Sequence, residues 1–421
     1  MNCNPCINWC TNCAPHWKTD AAMFKATSFA TTLSLAVLVA LGPLSTDMYL
    51  PALPGMTHEL STSPALVLLT VCLFLAGFAL AQIIYGPLSD RFGRKPVLLS
   101  GLLLFVLASA GCAMSTDIHT LIVFRFLQAL GGSAGPVLGR AIVRDIHGPR
   151  NAARVLSHIA SAMALAPAIA PIAGGFMSLY WGWTSIFWFL ALFGLAGAAL
   201  LQFKIVESSP EEHRHPKSLA TIFRDYASLL RDRQYLGYML TCSFSYAGLF
   251  CFLSGASFVI IEYFRIPQQW FGALFALVVL GYISGTLLGG KLSYRKGYRE
   301  LVQLGALTCM LSGLVMLGLT LGEITHVASV IAPMMLFMSG VGLVMPQSMA
   351  GALANYPHMA GSASGLLGFI QMSSAGIAGA FVGHGYDGTP LVMSTGIAGM
   401  GVLTVCAYVL LIHKRGGQEG D

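Results

Sequence analysis

Two of the charged residues that fall inside apolar segments of this sequence could take part in moving ions or protons. Asp47 falls near the end of the stretch 29–49, and Arg125 lies a few residues inside the stretch 119–141. A charge at the centre of a bilayer costs at least about 2.5 to 3.5 kcal/mol, so such residues usually face a protein interior or a cavity and serve a function. A carboxylate can also exchange a proton with water. The two residues therefore predict proton-linked chemistry inside a membrane.

The composition of the chain explains why these residues meet lipid. Its 421 residues are 56% hydrophobic and 10% charged, with a mean hydropathy of +0.72. Soluble domains carry about 25% charged residues, whereas helices in lipid need apolar residues on every side. The composition thus excludes a soluble domain. The net charge of +6 must be explained by where the basic residues lie.

Twelve apolar segments are long enough to cross a bilayer, which takes about 20 residues. They lie near 29–49, 65–85, 96–114, 119–141, 155–178, 183–203, 236–261, 270–290, 301–322, 327–353, 362–383 and 390–412. Basic residues concentrate in the linkers after even-numbered segments, and the opposite linkers hold only Arg265. By the positive-inside rule, this predicts that both termini are cytoplasmic. The same rule explains the net charge without a nucleic acid partner.

An internal repeat predicts two equivalent halves. GPLSDRFGRK at 86–95 and GKLSYRKGYR at 290–299 share Gly, Leu, Ser, Arg and Gly at matching positions. We expect an all-α membrane protein with six-helix halves at 27–203 and 235–412 around a central cavity. The linker 204–234 contains SLATIFRDYASLLRDRQY, which predicts an amphipathic helix along the inner face. We expect residues 413–421 to form a short cytoplasmic tail.

The N-terminal tail, residues 1–26, holds two CxxC pairs, Cys3 with Cys6 and Cys10 with Cys13. Zinc modules usually separate such pairs by about twelve or more residues, but only Ile7, Asn8 and Trp9 stand between them here. We expect an unfolded tail without metal, and a metal or redox role remains the alternative. The other cysteines lie in apolar segments, as small core residues do.

The run GPLSDRFGRKP closely resembles the loop signature between spans two and three of the major facilitator superfamily. The residues that carry this match are Gly86, Asp90, Arg91, Gly93, Arg94 and Lys95. The resemblance implies that Asp90 faces the N-terminus of the eleventh span, near Ser362, and that Arg94 pairs with Asp145. These contacts would close the cytoplasmic side. In the second repeat Tyr294 replaces the acid, so we expect a weaker latch there.

Three more segments resemble signatures of this family. LIVFRFLQALGGSAG at 121–135 is similar to the fourth-span signature and contains Arg125. ALAPAIAPIAGG at 164–175 resembles the fifth-span signature of exporters, in the form found in Bcr/CflA-type drug antiporters. Its helix-bending and close-packing residues are Pro167, Pro171, Gly174 and Gly175. LGPLSTDMYLPALP at 41–54 resembles the first span of the same group, and the resemblance covers 27–412.

The resemblance implies a secondary transporter of a bacterial inner membrane that exports drug-like molecules in exchange for protons by alternating access. Asp47 would take a proton when the cavity opens outward, lose its attraction to Arg125 or substrate, and release the proton inside. Aromatic and neutral polar residues are expected to line the cavity: Tyr49, Gln128, Tyr246, Phe250, Tyr282, Gln347 and Gln371. These favour neutral or weakly charged amphiphiles. We expect a monomer with no cofactor other than the coupling proton.

Other classes of function fit less well. GTLLGGKL at 285–292 nearly forms a phosphate-binding loop, but it lies in an apolar span and ends in Leu292 where Ser or Thr is needed. The sequence contains no HExxH, and its GxSxG match at 131–135 lies in an apolar span and not at the strand-to-helix turn that a nucleophile requires, which argues against an enzyme. A proton-coupled importer of a small metabolite shares the expected fold and remains the alternative.

Overall fold

The computed structural model describes residues 29–204, 207, 219–293, 295–356 and 359–412. These residues form fourteen α-helices: α1 (Phe29–Asp47), α2 (Leu53–Glu59), α3 (Pro64–Phe92), α4 (Arg94–Ala113), α5 (Ile118–Gly132), α6 (Ala134–Trp181), α7 (Thr184–Lys204), α8 (Leu219–Arg231), α9 (Arg233–Ser257), α10 (Gln268–Leu292), α11 (Tyr298–Leu321), α12 (Ala328–Leu353), α13 (Ala360–Gly385) and α14 (Leu391–Leu411). A 3₁₀ turn at Leu50–Ala52 and a π-helical segment at Phe258–Tyr263 adjoin them. The predicted all-α class is confirmed, and the tails 1–26 and 413–421 lie outside the described residues.

Ten helical stretches in the described part are long and apolar enough to span a membrane. Together with α1 and the second half of α6, they give the twelve predicted segments. Helix ends are fixed by short polar side chains. The carboxylate of Asp117 accepts a hydrogen bond of 2.9 Å from the Thr120 N–H and so caps α5. Hydrogen bonds from the side chain and backbone of Thr120 lower the pKa of Asp117.

The fourth and fifth spans differ from the prediction. The predicted span 119–141 is broken at Ser133, because Pro136 has no N–H to donate to the carbonyl of Gly132. Helix α6 then continues through the predicted linker to Trp181, over 48 residues. The predicted interruption between 141 and 155 is therefore wrong. Alanine and arginine in this stretch favour helix, and a polar helical segment can extend beyond the lipid.

The helices form two bundles. Helices α1 and α3–α7 pack among themselves, and α9–α14 do the same. Two seams join the bundles, one between α3 and α13 and the other between α6 and α10. The predicted linker helix is present as α8, and its Leu229 packs with Tyr235 in the second bundle.

The two ends of the assembly differ in charge. One end carries the basic turns near 91–95, 231–233 and 291–299, and we call it the Arg-rich end. The opposite end includes 48–63, 114–117, 264–267, 322–327 and 386–390, where Arg265 is the basic residue apart from histidines. We call it the Arg-poor end.

Candidate transport site and gates

Arg125 is fully buried in the first bundle and is surrounded by aromatic rings. The guanidinium carbon lies 4.3 Å from the centre of the Phe74 ring, 4.6 Å from Tyr49 and 5.7 Å from Phe187. The negative face of an aromatic ring attracts a cation, and a desolvated pair is worth about 2 kcal/mol. The rings therefore compensate part of the cost of burying this charge.

Arg125 also donates hydrogen bonds to neutral acceptors. Its Nη1 lies 3.1 Å from the backbone oxygen of Ser45 and 2.7 Å from Oε1 of Gln128. Gln128 in turn donates to Oγ of Ser109 at 2.8 Å, which fixes the orientation of its amide. Within the described residues, Nε and Nη2 of Arg125 have no hydrogen-bond partner. The guanidinium thus retains donors that an acceptor could use after a rearrangement.

Asp47 is the last residue of α1 and is 6% exposed. Its Oδ1 accepts a hydrogen bond of 3.0 Å from the hydroxyl of Thr46. Tyr246 of the second bundle lies close enough to interact electrostatically with Asp47 and with Tyr282. The ion pairs found among the described residues do not include Asp47 with Arg125. The two predicted coupling residues are therefore brought into one region but are not paired in this state.

The predicted cavity residues separate into two groups. Tyr49 is fully buried, donates to or accepts from Thr70 at 2.6 Å and packs on Phe187, so it belongs to the core of the first bundle. Gln128 is equally buried beside Arg125. In this state each of the two side chains has its polar partner inside its own bundle, so their place on a cavity wall stays a prediction.

The other five predicted cavity residues belong to the second bundle. Tyr246 and Phe250 form a ring pair with centres 5.0 Å apart. Tyr246 also lies within electrostatic range of Asp47. Tyr246, Tyr282 and Gln347 are half-buried, whereas Phe250 and Gln371 are buried. A polar residue that the sequence analysis missed, Gln82 of α3, meets Gly368 of α13 at the seam. A glutamine within an apolar span was the signal that could have identified it.

At the Arg-rich end, Arg94 binds two carboxylates. Its Nη1 lies 2.6 Å from Asp90, and its Nε lies 3.3 Å from Asp145 in α6. The side chain of Ser89 also accepts a hydrogen bond from Arg94. The contact between Arg94 and Asp145 that the family resemblance implies is therefore present in the geometry.

Glu207 is a residue of this network that the sequence analysis did not identify. Its two carboxylate oxygens accept hydrogen bonds from the backbone N–H groups of Arg94 and Lys95 at 3.0 and 3.1 Å. A carboxylate at a helix N-terminus satisfies donors that have no partner within the helix. Glu207 thus joins the chain after α7 to the start of α4. Its position directly after an apolar span, in a basic linker, was the available signal.

The predicted contact of Asp90 with the start of α13 is replaced by another one. The hydroxyl of Ser362 donates to a carboxylate oxygen of Asp225 in the linker helix, at 3.3 Å. Asp90 instead pairs with Arg94. In this state an acid of α8, and not Asp90, occupies the place that the resemblance implies for Asp90.

The second copy of the loop uses aromatic packing at the position of Arg94. Tyr298 corresponds to Arg94 in the repeat, and its ring lies 5.8 Å from that of Tyr238. Tyr294, which the sequence analysis singled out, lies outside the described residues. The expected weaker latch in the second half stays a prediction.

The fifth-span signature lies where α6 approaches α1. A Cβ at Gly174 would overlap the carbonyl oxygen of Met48, whereas one at Gly175 would lie 3.6 Å from the Gln268 carbonyl, an ordinary contact. Pro167 is half-buried and Pro171 is buried in the same helix. Gly174 therefore permits backbone contact between α6 and the chain just after Asp47.

Two cavities in the described part of the chain lie away from Asp47. One of about 470 Å³ opens between α11 and α12 and is lined by apolar residues with Thr308 and Ser312. The other, of about 220 Å³, lies at the seam of α3 and α13, beside Cys72 and His384. Neither contains Asp47 or Arg125.

Comparison with known proteins agrees with these features. The family model described as Major Facilitator Superfamily matches residues 35–380. The chain is 31% identical to a bicyclomycin resistance protein homolog of Haemophilus influenzae, over 93% of this chain and 98% of the relative. It is also 31% identical to a chloramphenicol resistance protein of Pseudomonas aeruginosa, over 82% of this chain and 83% of the relative.

The fold recurs in solved structures. A POT family transporter in complex with 5-aminolevulinic acid superimposes with a TM-score of 0.73 at 12% identity, covering 93% of this chain and 98% of that one. At this identity the likeness concerns the fold alone. The family match, the relatives and the two-bundle architecture together identify a multi-pass membrane transporter and not an enzyme. This chain belongs to the major facilitator superfamily.

Proposed function

We propose that this protein exports neutral or weakly charged drug-like amphiphiles in exchange for protons across a bacterial inner membrane. In this proposal the Arg-rich end and both termini are cytoplasmic, as the distribution of basic residues favours. The transporter works as a monomer, and the proton is its coupling ion.

The position of Asp47 is the observation that carries the proposal. It is a buried carboxylate at the end of α1, it has no ion-pair partner in the described part of the chain, and Tyr246 of the other bundle lies within electrostatic range. A carboxylate between two moving bundles can be reached by water from alternating sides. It can therefore take up a proton on one side and release it on the other.

The exchange follows from the charge of Asp47. When the Arg-poor end opens, Asp47 takes a proton, loses its negative charge and no longer attracts substrate or the cation of Arg125. Substrate leaves, and opening of the Arg-rich end then lets the proton pass to the cytoplasm. One charge moving inward is worth about 2.3 kcal/mol per 100 mV, which can sustain a substrate gradient of about fifty-fold.

The substrate class follows from the polar groups available. Tyr246, Tyr282 and Gln347 offer neutral hydrogen-bond groups beside apolar neighbours, a combination that suits uncharged ligands with a few polar atoms. The relatives named for resistance to bicyclomycin and chloramphenicol support a drug-like substrate for this chain.

Everted membrane vesicles test both coupling and direction. We expect an amphenicol or a bicyclomycin-like compound to accumulate in energised everted vesicles, with proton release from the lumen on drug addition, and an uncoupler to abolish accumulation. Vesicles without the protein are the control. Accumulation only in right-side-out vesicles would instead identify an importer, and accumulation insensitive to the uncoupler would contradict proton coupling.

A further inference from the structure

A buried hydrogen bond joins the two bundles at the Arg-poor end. The hydroxyl of Ser257, at the end of α9, donates to the backbone oxygen of Leu50 at 2.6 Å. Ser257 and Leu50 are both fully buried. This contact links residues that are 207 positions apart in the sequence, and it must break whenever the bundles separate at this end.

The backbone is irregular on both sides of this bond. Leu50 begins the 3₁₀ turn that follows Asp47, and Ser257 directly precedes the π-helical segment Phe258–Tyr263. A π-helical stretch within a span often marks a functional position, whereas a short 3₁₀ turn is a common connector between helices. The bond therefore connects the two places where spans one and seven leave regular α-helix.

The surroundings show that this end is closed. A Cβ at Gly272 of α10 would lie 2.6 Å from the backbone of Ile172 in α6, so these helices are in backbone contact. Across the same end, His58 and Glu262 lie 4.0 Å apart, but the His58 side chain is 83% exposed. An exposed ion pair of this kind adds little to the stability of the closed end. A buried hydrogen bond stabilises the closed end more, because removing the donor leaves a buried acceptor without a hydrogen-bond partner.

We propose that Ser257 is a positioning residue of the transport cycle, whose hydrogen bond to Leu50 holds the Arg-poor end closed and fixes the turn after Asp47. The inference rests on the proposed function to the extent that it assumes alternation between two open states. Ser257 controls the equilibrium between these two open states. It has no role in binding the proton or the substrate.

The size of the effect follows from the strength of one hydrogen bond. Its loss is expected to shift the ratio of closed to open Arg-poor ends by about fivefold, equivalent to about 1 kcal/mol at 1.4 kcal/mol per tenfold. Ser254 provides a matched control in the same helix. It is fully buried, and its hydroxyl has no hydrogen-bond partner in the described part of the chain.

The Ser257–Leu50 hydrogen bond, which we call the Ser257 latch, is tested by hydrogen–deuterium exchange. The full chain is measured in lipid nanodiscs at one pH and without drug. For Ser257→Ala we expect faster exchange in peptides covering 48–60 and 258–267, together with slower exchange at the Arg-rich segments 86–95 and 219–231. Ser257→Thr, which keeps the hydroxyl, should restore the wild-type pattern, and Ser254→Ala should resemble wild type.

The exchange pattern distinguishes a latch at one end from a general loss of stability. Faster exchange at both ends would show general loosening and would overturn the proposal, as would no change in Ser257→Ala or an equal effect of Ser254→Ala. Because exchange is measured without a gradient or substrate, the latch can be present in a protein that fails the vesicle test for drug export. Conversely, confirmed export with unchanged exchange in Ser257→Ala would reject the latch alone.

Discussion

Arg125 donates a hydrogen bond of 3.1 Å to the backbone carbonyl of Ser45, two residues before Asp47. This places the permanent cation of the first bundle beside the backbone that carries the acid, while three aromatic rings hold the guanidinium in the core. Asp47 can consequently change its charge without leaving Arg125 unsupported. The rings and neutral acceptors support the guanidinium in this state without an ion pair to Asp47.

Replacing Asp47 with Asn should uncouple transport from protons. The amide is similar in size but cannot carry a proton across the cycle, so we expect drug-induced proton movement in vesicles to disappear while downhill drug exchange continues. Asp117→Asn, at the exposed start of α5, is the control and should retain coupling. Unchanged proton movement in Asp47→Asn would exclude Asp47 as the proton carrier.

The aromatic surroundings of Arg125 predict a specific stability loss. Phe74→Leu keeps a large apolar side chain but removes the ring 4.3 Å from the guanidinium. We expect a loss of about 2 kcal/mol in the free energy of unfolding, the value of a desolvated cation–π contact. Reversible unfolding in mixed micelles measures it.

A double-mutant cycle separates the cation–π contact from simple packing. In an Arg125→Met background, Phe74→Leu should cost much less, because the cation is already absent. An equal cost in both backgrounds would show that Phe74 only fills space.

The two carboxylates on Arg94 should partly replace each other. With Asp90 at 2.6 Å and Asp145 at 3.3 Å, either Asp90→Asn or Asp145→Asn alone leaves the guanidinium one anionic partner. We expect each single variant to lower the export rate by a few-fold and the double variant by more than the product of both effects. Multiplicative losses in vesicle transport would mean that the carboxylates act independently.

Neighbouring glycines in α6 should respond differently to alanine. A Cβ at Gly174 would overlap the Met48 carbonyl, whereas at Gly175 it would meet ordinary contacts of 3.6 to 3.8 Å. Overpacking typically costs about 1 to 3 kcal/mol, so Gly174→Ala should reduce the export rate by about fivefold or more, and Gly175→Ala should stay near wild type. Equal activities of the two variants, measured at matched expression, would contradict the close approach of α6 and α1.

The sequence was sufficient for the features that depend on composition and short motifs. The apolar lengths predicted twelve membrane segments, the duplicated loop predicted two bundles, and GPLSDRFGRKP indicated the family through Asp90, Arg91 and Arg94. These features depend on the solubility of whole segments in lipid and on local turn chemistry, both of which are visible along one chain.

The partners of individual side chains depended on the tertiary structure. The sequence predicted Tyr49 and Gln128 as cavity residues, but it gave no indication that Tyr49 bonds to Thr70 and Gln128 to Arg125 inside the first bundle in this state. It likewise gave no indication that Glu207 caps α4 or that Ser257 reaches Leu50, 207 positions away. Packing between helices decides which side of each helix faces its neighbours and which distant segments meet. A helix that is apolar on all sides does not encode this orientation in its own sequence pattern.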